Sequence, residues 1–384
     1  MPHKVRTSER LARRKCLRAW DLGYRQGWTP IVASQALEFG LAFHGALQVV
    51  YDPQAWDLTT PEQKLAKATN AFELICSEQE QNYLETTCQT RLTWDGRDDY
   101  LSRVQLGKRM LTYYVLEVHP VEDTWFRPTH VEAPFEVPLL DEHHEPLRCN
   151  NSPRCGQYHE SNAEVLIVGT IDLIVQDIER GGRYWIVDWK TVGGERSIDG
   201  TEKRTSRFTS PADARIHVQL GTYCYVLRYR LELDVAGYIL AEIRKDYPKP
   251  PARLRRKHNA CLFSTSKEQP TTHKLFRWYV AHHDPDGLGA GVYDNYLDFL
   301  RSADAPVFHK REPVEKSLGE LEQIGLNLIR EVRDMLRPDQ EIYPEQDRMS
   351  CKNCEFRPPC EMMQHGMPHE PALEATYRRV EPQY

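Results

Sequence analysis

Apolar side chains recur at helical spacing through the first third of the chain. Residues 7–50 predict two helices, and the second, from about residue 30 to residue 50, carries Leu37, Leu41 and His44 near one face. Residues 61–118 contain few helix breakers after a proline that suits a first helical turn. We therefore predict a helical N-terminal region.

Shorter apolar segments rich in β-branched residues predict a sheet in the middle of the chain. The predicted strands are 130–140, 164–177, 183–191 and 235–243, and the predicted later helices are 211–230, 295–302 and 315–336. Gly181-Gly182 marks a turn between the second and third strands, which places them close to a hairpin.

This order of elements predicts an α/β or α+β fold, in which helices flank a mixed sheet. We expect four regions: a helical region, a sheet core with a polar insertion at 141–163, a basic loop followed by C-terminal helices, and a cysteine-rich tail. Their expected bounds are 1–125, 126–245, 246–340 and 341–384.

Composition excludes two classes of protein and leaves enzymes open. The chain has 384 residues and a net charge of -6, which argues against a protein that coats nucleic acid through bulk charge but not against an enzyme with a local basic groove. No apolar run approaches the ~18 residues of a membrane span, and no apolar segment follows the basic first residues. We therefore expect a cytoplasmic protein without a signal peptide, whose ten cysteines are reduced unless a metal or cluster holds them.

Two aspartates and a lysine are the candidate chemistry. Asp188 and Lys190 are two apart in a predicted strand and share a face, and Asp172 lies late in an apolar strand where an uncompensated carboxylate is costly. If the strands pair through the glycine turn, both carboxylates can lie on one face. Carboxylates bind Mg²⁺ or Mn²⁺, and a metal with a nearby ammonium suits phosphodiester hydrolysis. The alternative is an ordinary ion pair at a strand end.

Four motifs occur in a familiar order. They are Gly40-x-x-x-His44, Gly169-x-x-Asp172, Asp188-x-Lys190 and Gln219-x-x-x-Tyr223. Together they resemble the PD-(D/E)XK nuclease superfamily, in its RecB-like branch, and within that branch the iron–sulfur exonucleases associated with CRISPR systems and phages. The residue before Asp172 is Ile171 where the superfamily name has proline, a position at which this branch varies.

The resemblance implies a restriction-endonuclease-like core and a role for each motif residue. His44, Asp172, Asp188 and the backbone carbonyl of Trp189 would bind the metal, and Lys190 would act on the attacking water. Gln219 and Tyr223, one helical turn apart, would contact DNA or brace the site. Taken singly, His44 and Tyr223 could equally be core residues.

Three cysteines in the tail indicate a second metal centre. Cys351, Cys354 and Cys360 form a C-x2-C-x5-C pattern, whose spacing alone leaves zinc and iron–sulfur open. The resemblance adds Cys16, in a basic N-terminal helix, and implies a [4Fe–4S] cluster on the four thiolates that joins the two ends of the chain. Cys149 and Cys155 could form another small site or lie incidentally in the insertion.

We therefore expect a Mg²⁺- or Mn²⁺-dependent deoxyribonuclease, an exonuclease more than an endonuclease, that acts on single-stranded DNA or duplex ends in recombination, repair or phage replication. The chain contains no G-x-x-x-x-G-K-[ST] motif, so a helicase, recombinase or integrase partner would be a separate protein. The alternatives are a catalytically silent DNA-binding adaptor and a zinc-stapled endonuclease. The candidate DNA-guiding residues are Arg244, Lys245, Arg253, Arg255, Arg256 and Lys257.

Overall fold

A computed structural model describes most of the chain. The described residues are 2–87, 94–149, 162–179, 181–193, 195–196, 202–203, 208–258, 261–337, 340–345, 348–352 and 354–380. The helices are α1 (Thr7–Lys15), α2 (Leu17–Trp20), α3 (Gln35–Val50), α4 (Pro61–Thr86), α5 (Trp94–Tyr113), α6 (His119–Glu122), α7 (Pro211–Arg215), α8 (Val218–Tyr229), α9 (His273–His283), α10 (Pro285–Gly289), α11 (Asp294–Phe299), α12 (Leu318–Met335), α13 (Arg348–Lys352), α14 (Arg357–Gln364) and α15 (Glu370–Thr376), with π-helical turns at Asp21–Arg25 and Tyr114–Val118.

The strands pair mainly into one mixed sheet. They are β1 (His3–Arg6), β2 (Trp28–Pro30), β3 (Phe126–Pro138), β4 (Arg148–Cys149), β5 (Ala163–Asp177), β6 (Tyr184–Val192), β7 (Glu195–Arg196), β8 (Glu202–Lys203), β9 (Val235–Arg244), β10 (Arg253–His258), β11 (Cys261–Phe263), β12 (His309–Glu315) and β13 (Tyr377–Arg379). Seven of them form the central sheet, in the order β1-β5-β6-β9-β12, with β3 and β4 also paired to β5. The predicted α/β architecture is confirmed.

Helices cover both faces of this sheet. On one face α3, α4 and α5 pack against it through a core that includes Phe43, Phe72 and the fully buried indole of Trp189. On the other face α1, α8 and α12 pack against it through Leu220, Leu328 and other apolar side chains. Burial on both faces explains why the central strands are apolar almost throughout rather than alternating.

The predicted hairpin is confirmed, and it fixes the register of the two strands that carry the aspartates. β5 and β6 are antiparallel and pair Leu173 with Val187 and Ile174 with Ile186. Gly181 and Gly182 adopt φ values of +89° and +74° in the turn, a conformation that glycine reaches without steric cost.

Three predictions of secondary structure were wrong or incomplete. The helix expected over 211–230 is divided into α7 and α8. The basic stretch expected as a loop instead forms β10, which pairs with β11 in a small separate sheet. β1 and β12 were not predicted. Both are polar edge strands, and β12 contains a proline, Pro313, which an edge strand tolerates because it does not need every backbone donor.

The segment between β9 and β12 has a core of its own. β10, β11 and α9–α11 enclose Phe263, Phe276, Val280, Tyr293 and Tyr296. Because β12 pairs with β9 from His309↔Ile243 onward, this segment leaves and rejoins the sheet at one end. We call residues 253–301 the inserted unit.

The C-terminal tail packs against the N-terminal helices. β13 pairs with β2, and the Phe356 and Tyr377 rings stack at 5.4 Å beside the buried side chain of Leu22. The two ends of the chain are therefore held together by an apolar cluster. Among the residues that the structure describes, no helix has the length and apolar character needed to cross a membrane.

Candidate active site

β5 and β6 part at the positions of the two aspartates. Their pairing ends at Leu173↔Val187, so Asp172 and Asp188 are the next residues in register, two positions beyond the directly paired Ile174 and Ile186. They therefore share a face of the sheet, as predicted. The Asp172 carboxylate spans the gap, because its Oδ2 accepts a hydrogen bond of 3.1 Å from the Trp189 backbone N–H.

Asp188 and Lys190 form a close pair on β6. The Lys190 Nζ lies 2.7 Å from Asp188 Oδ2, and the aspartate side chain is only 2% exposed whereas the lysine is 39% exposed. Trp189, between them, points into the opposite core and contacts the ring of Tyr51. The lysine therefore reaches from a buried carboxylate toward solvent at the point where the strands separate.

Helix α3 brings His44 to the same point. The His44 Nδ1 lies 3.4 Å from Asp172 Oδ2, and the imidazole packs edge-on against Trp189. The stripe of α3 that carries His44 also exposes Leu37 and Leu41, which are 56% and 57% exposed. The face that buries the helix is a different one, which contains Phe39 and Phe43.

A fifth residue, Glu132, joins these four and was not predicted. Glu132 lies on β3 between Val131 and Ala133, whose partners Leu173 and Ile171 flank Asp172. One ligand atom each from His44, Glu132 and Asp172 lies within 4.8 Å of the others. Glu132 also has a φ of +45°, which a residue with a side chain rarely adopts and which is typical of functional sites.

We call His44, Glu132, Asp172, Asp188 and Lys190 the acidic centre. It contains three carboxylates and one ammonium, so its negative and positive charges are not balanced. Burial and the nearby Asp188 raise the pKa of Asp172 to about 7. Burial and the Lys190 ammonium lower the pKa of His44, so the imidazole is neutral at pH 7. Burial also opposes the charge on Lys190, but Asp188 and Asp172 outweigh it and raise the lysine pKa.

Gln219 and Tyr223 stand one turn apart on α8, as predicted. The Gln219 amide donates a hydrogen bond of 2.7 Å to the Tyr223 hydroxyl, and the Thr7 hydroxyl lies 3.3 Å from the same oxygen. These side chains line a cavity of about 490 Å³ together with Gly169. A side chain at Gly169 would collide with the Phe135 ring, 2.8 Å from the position of its Cβ, so the motif glycine is required by packing.

Comparison with known families agrees with this geometry. The model of the PD-(D/E)XK nuclease superfamily matches residues 11–361. The chain belongs to the PD-(D/E)XK nuclease superfamily. A search of curated proteins finds no match to the chain. Membership indicates a metal-dependent nuclease, and the acidic centre of this PD-(D/E)XK protein fits a divalent cation because it offers carboxylate oxygens and one neutral imidazole.

The structure brings Cys16 to the three cysteines of the tail. Cys354 is half-buried; burial raises its pKa, and the neighbouring thiols of Cys16, Cys360 and Cys351 raise it further. Arg18, on the helix that follows Cys16, donates to Cys360 Sγ over 3.8 Å. All four cysteines are free thiols.

The other cysteines do not assemble a described site. Cys149 is 1% exposed in the core beside β5, whereas Cys155 lies outside the described residues. Cys76, Cys224 and Cys261 are buried core thiols.

The candidate DNA-guiding residues whose side chains the structure describes do not share one surface. Arg244 is 8% exposed at the end of β9, and its guanidinium donates to the Val307 carbonyl over 3.4 Å. Lys245 is half-buried, with its ammonium 5.2 Å from the centre of the Phe39 ring. Arg253 is exposed at the start of β10. The backbones of Arg255, Arg256 and Lys257 continue that strand, and their side chains lie outside the described part of the chain.

Proposed function

We propose that this protein is a Mg²⁺- or Mn²⁺-dependent deoxyribonuclease that cuts single-stranded DNA or duplex ends, as an exonuclease. The observation that carries the proposal is the acidic centre, in which three carboxylates, a neutral imidazole and an ammonium meet where two strands part. Bound there, a divalent cation supplies polarisation of a phosphoryl oxygen and activation of a water molecule.

The residues of the acidic centre divide this work. Asp172, Glu132 and His44 offer the metal ligands that lie within 4.8 Å of one another, and Asp188 adds a carboxylate from the neighbouring strand. Asp172 Oδ2 also accepts a hydrogen bond from the Trp189 backbone N–H, which fixes β6 at the point where Asp188 and Lys190 emerge. The Trp189 carbonyl, on the next peptide, is the further ligand that the resemblance implies. Burial raises the pKa of Asp172, and the neighbouring Asp188 raises it further; a cation bound beside both carboxylates would offset these effects.

Lys190 is placed to act on the attacking water or the phosphate. Its pKa is raised, so it keeps its proton at pH 7, and its exposed ammonium can donate to an oxygen that gains negative charge. Tyr223 lines the cavity beside Gln219, which donates a hydrogen bond to its hydroxyl, and we propose that this hydroxyl donates to a phosphate oxygen. The exposed Arg253 of β10 provides further attraction for the DNA backbone.

A cleavage assay tests the proposal. End-labelled single- and double-stranded DNA, linear and circular, is incubated with Mn²⁺ or with a chelator, and Lys190→Ala serves as the impaired variant. We expect metal-dependent cleavage of linear substrates and no cleavage of circular ones. The cleavage rate of the variant should be lower by at least about a hundredfold. Cleavage of circles would overturn the exonuclease assignment, and cleavage of no substrate would leave a silent adaptor as the better description.

We also propose a [4Fe–4S] cluster on Cys16, Cys351, Cys354 and Cys360. The thiols of Cys16, Cys360 and Cys351 act on the pKa of Cys354, which supports one site shared by the four cysteines. The resemblance to iron–sulfur nucleases favours the cluster over a zinc ion at this site. Its place beside the paired β2 and β13 supports a structural role at the junction of the two chain ends.

Metal analysis tests the cluster. Anaerobically purified protein should contain iron and sulfide and absorb visible light, and Cys16→Ser should lose both while Cys76→Ser, at a buried core thiol, keeps them. Colourless protein with stoichiometric zinc would overturn the assignment. The proposed setting is DNA recombination, repair or phage replication, with any helicase, recombinase or integrase supplied by a separate protein.

A further inference from the structure

Helix α9 of the inserted unit carries basic and aromatic side chains and no carboxylate. Its sequence is HKLFRWYVAHH. Phe276 and Val280 face the core of the unit, whereas Lys274, Arg277, Trp278, Ala281 and His282 form an exposed stripe at helical spacing. Trp278 is the aromatic member of the stripe, and Lys274 and Arg277 are its cations.

Trp278 is held in place while much of its ring stays accessible. The side chain is 51% exposed. The His282 imidazole stacks on it with 4.2 Å between ring centres, and the Tyr279 ring meets it edge-on at 5.0 Å. A ring fixed in this way loses little conformational freedom when another flat group stacks on it.

The charges around α9 favour a polyanion. The inserted unit contains eight lysines and arginines against five aspartates and glutamates, in a chain whose net charge is -6. Lys274 lies near Glu117. Burial raises the pKa of this glutamate and Lys274 lowers it, so the charge of Lys274 is partly offset by a carboxylate. Arg277 is exposed in the middle of the stripe next to Trp278. Asp298, a carboxylate of the same unit, lies 3.6 Å from Arg301.

The position of the unit relates α9 to the acidic centre. Lys190 pairs with Glu242 near the end of β9, and the unit begins and ends next to that point because β12 returns opposite Ile243. β11 packs under α9 through Phe263 and Tyr279, so the basic strand β10 and the stripe of α9 belong to one rigid structure. The inserted unit is therefore connected to the sheet through the end of β9 that pairs with the segment carrying Lys190.

We propose that the exposed stripe of α9 is a second binding surface for single-stranded DNA, in which a base stacks on Trp278 and Arg277 contacts a neighbouring phosphate. An aromatic ring beside a cation accepts any base, because every base has a flat face and every link has a phosphate. This surface rests on the proposed function, because it holds the strand that the acidic centre cuts.

Binding of a labelled oligothymidylate to the non-cleaving Asp188→Asn protein tests the surface without cleavage. Trp278→Ala should weaken binding about tenfold, and Trp278→Phe should keep most of the affinity. Arg277→Ala should lower the slope of log affinity against log salt by about 0.7, the value for one phosphate contact on a single strand. The matched controls are Tyr343→Ala and Arg97→Ala, at exposed side chains elsewhere, and neither should change binding.

A strand without bases separates stacking from any effect on folding. On an abasic oligomer of the same length the penalty of Trp278→Ala should vanish, while that of Arg277→Ala should remain. Three results would each overturn the proposed surface. The parent protein does not bind oligothymidylate, Trp278→Ala binds it as tightly as the parent does, or the penalty of Trp278→Ala persists on the abasic strand. Failure of the wild type to cleave DNA would instead overturn the proposed function, and the binding comparison would still decide the role of α9.

Discussion

Two groups of charged side chains are buried against the same sheet, and they differ in how their charges are matched. In the second group, which we call the ionic network, Asp123 is 2% exposed and accepts hydrogen bonds from Tyr51, at 2.6 Å, and from Arg311. His119 Nδ1 lies 2.7 Å from the same carboxylate, and Lys64 lies 3.1 Å from His119 Nε2. The network joins the N-terminal helices to Arg311 of β12.

The two groups show opposite shifts of an aspartate pKa. Burial would raise the pKa of Asp123, but Arg311 and His119 outweigh it and the pKa is lowered. Burial raises the pKa of Asp172, and the neighbouring Asp188 adds to the rise instead of opposing it. Desolvation acts in the same direction on both carboxylates, so the arrangement of the neighbouring charges decides the outcome.

This difference separates a structural group from a functional one. The ionic network is complete within the described chain, because each charged atom named above has a partner of opposite charge or a hydrogen bond. The acidic centre gathers three carboxylates around one ammonium and leaves room for a cation. The pKa values are perturbed in both the ionic network and the acidic centre, so this criterion alone would mark both as candidate functional sites. The excess of carboxylates in the acidic centre distinguishes the two.

The largest expected effect is on activity at the acidic centre. Asp188→Asn should lower single-turnover cleavage by at least about a thousandfold, because losing a carboxylate of the metal site removes several kcal/mol of transition-state stabilisation. The same change should alter the stability of the metal-free protein little, since it removes both the repulsion between Asp188 and Asp172 and the pairing of Asp188 with Lys190. Thermal unfolding in a chelator measures the second effect. A variant that cleaves like the wild type would show that the acidic centre is not the active site.

The ionic network should respond in the opposite way. Asp123→Ala leaves Arg311 without its buried partner and should cost about 3–5 kcal/mol of unfolding free energy, while cleavage per folded molecule is retained. Denaturant unfolding measures the loss, and Asp98→Ala, at an exposed position, should change stability by less than about 0.5 kcal/mol. A similar small effect in both variants would remove the distinction drawn between the two groups.

Glu9 is a third buried carboxylate, in which burial outweighs the effects of its hydrogen-bond donors and of Arg6. It is 4% exposed, and its Oε1 accepts a hydrogen bond of 3.0 Å from the Trp20 indole. Burial raises its pKa from 4.5 to about 7 in the folded protein, so its contribution to stability is complete below pH 4.5 and is lost as the pH rises through about 7.

Glu9→Gln imitates the protonated carboxyl and should remove this pH dependence. At pH 8 the variant should be more stable than the wild type by up to about 3 kcal/mol, and at pH 4 the two should be equally stable. Unfolding free energies across this range decide the matter. A constant difference between the two proteins at all pH values would show that the pKa of Glu9 is the same in the folded and unfolded states.

The acidic centre was largely predictable because most of its members are local in sequence. Asp188 and Lys190 share a face by strand geometry alone, and Asp172 follows from a short turn that fixes the register of two strands. His44 required the order of the family motifs, since nothing in the pattern of α3 distinguishes it from a core histidine. The motifs also led to the correct family, whereas the family model does not test the cluster or the mode of cleavage.

The elements that were missed depend on pairing between distant segments. β12 is polar and contains Pro313, and it is a strand only because β9 offers it an open edge. Glu132 reaches the acidic centre because β3 has an irregular register between Pro128 and His130, after which it lies beside Asp172. A charged residue amid the alternating positions of 130–138 was the one available signal, and alternation alone assigns such a residue to solvent.

The smallest expected effect isolates the backbone of Glu132. With a φ of +45°, this residue adopts a conformation that costs a residue with a side chain about 1 kcal/mol or more and that glycine adopts freely. Glu132→Gly should therefore be more stable than Glu132→Ala by about 1 kcal/mol, the reverse of the usual order in a strand. Both variants should need more Mn²⁺ for half-maximal cleavage, since both lose a ligand.

The matched pair separates strain from metal binding, because the two variants lack the same carboxylate and differ only in backbone freedom. Denaturant unfolding in a chelator gives the difference in stability, and a metal titration of cleavage gives the difference in affinity. If Glu132→Ala is as stable as Glu132→Gly, the positive φ carries no cost. If both variants keep the Mn²⁺ requirement of the wild type, Glu132 is a neighbour of the acidic centre and not a ligand, and the metal is held by His44, Asp172 and Asp188.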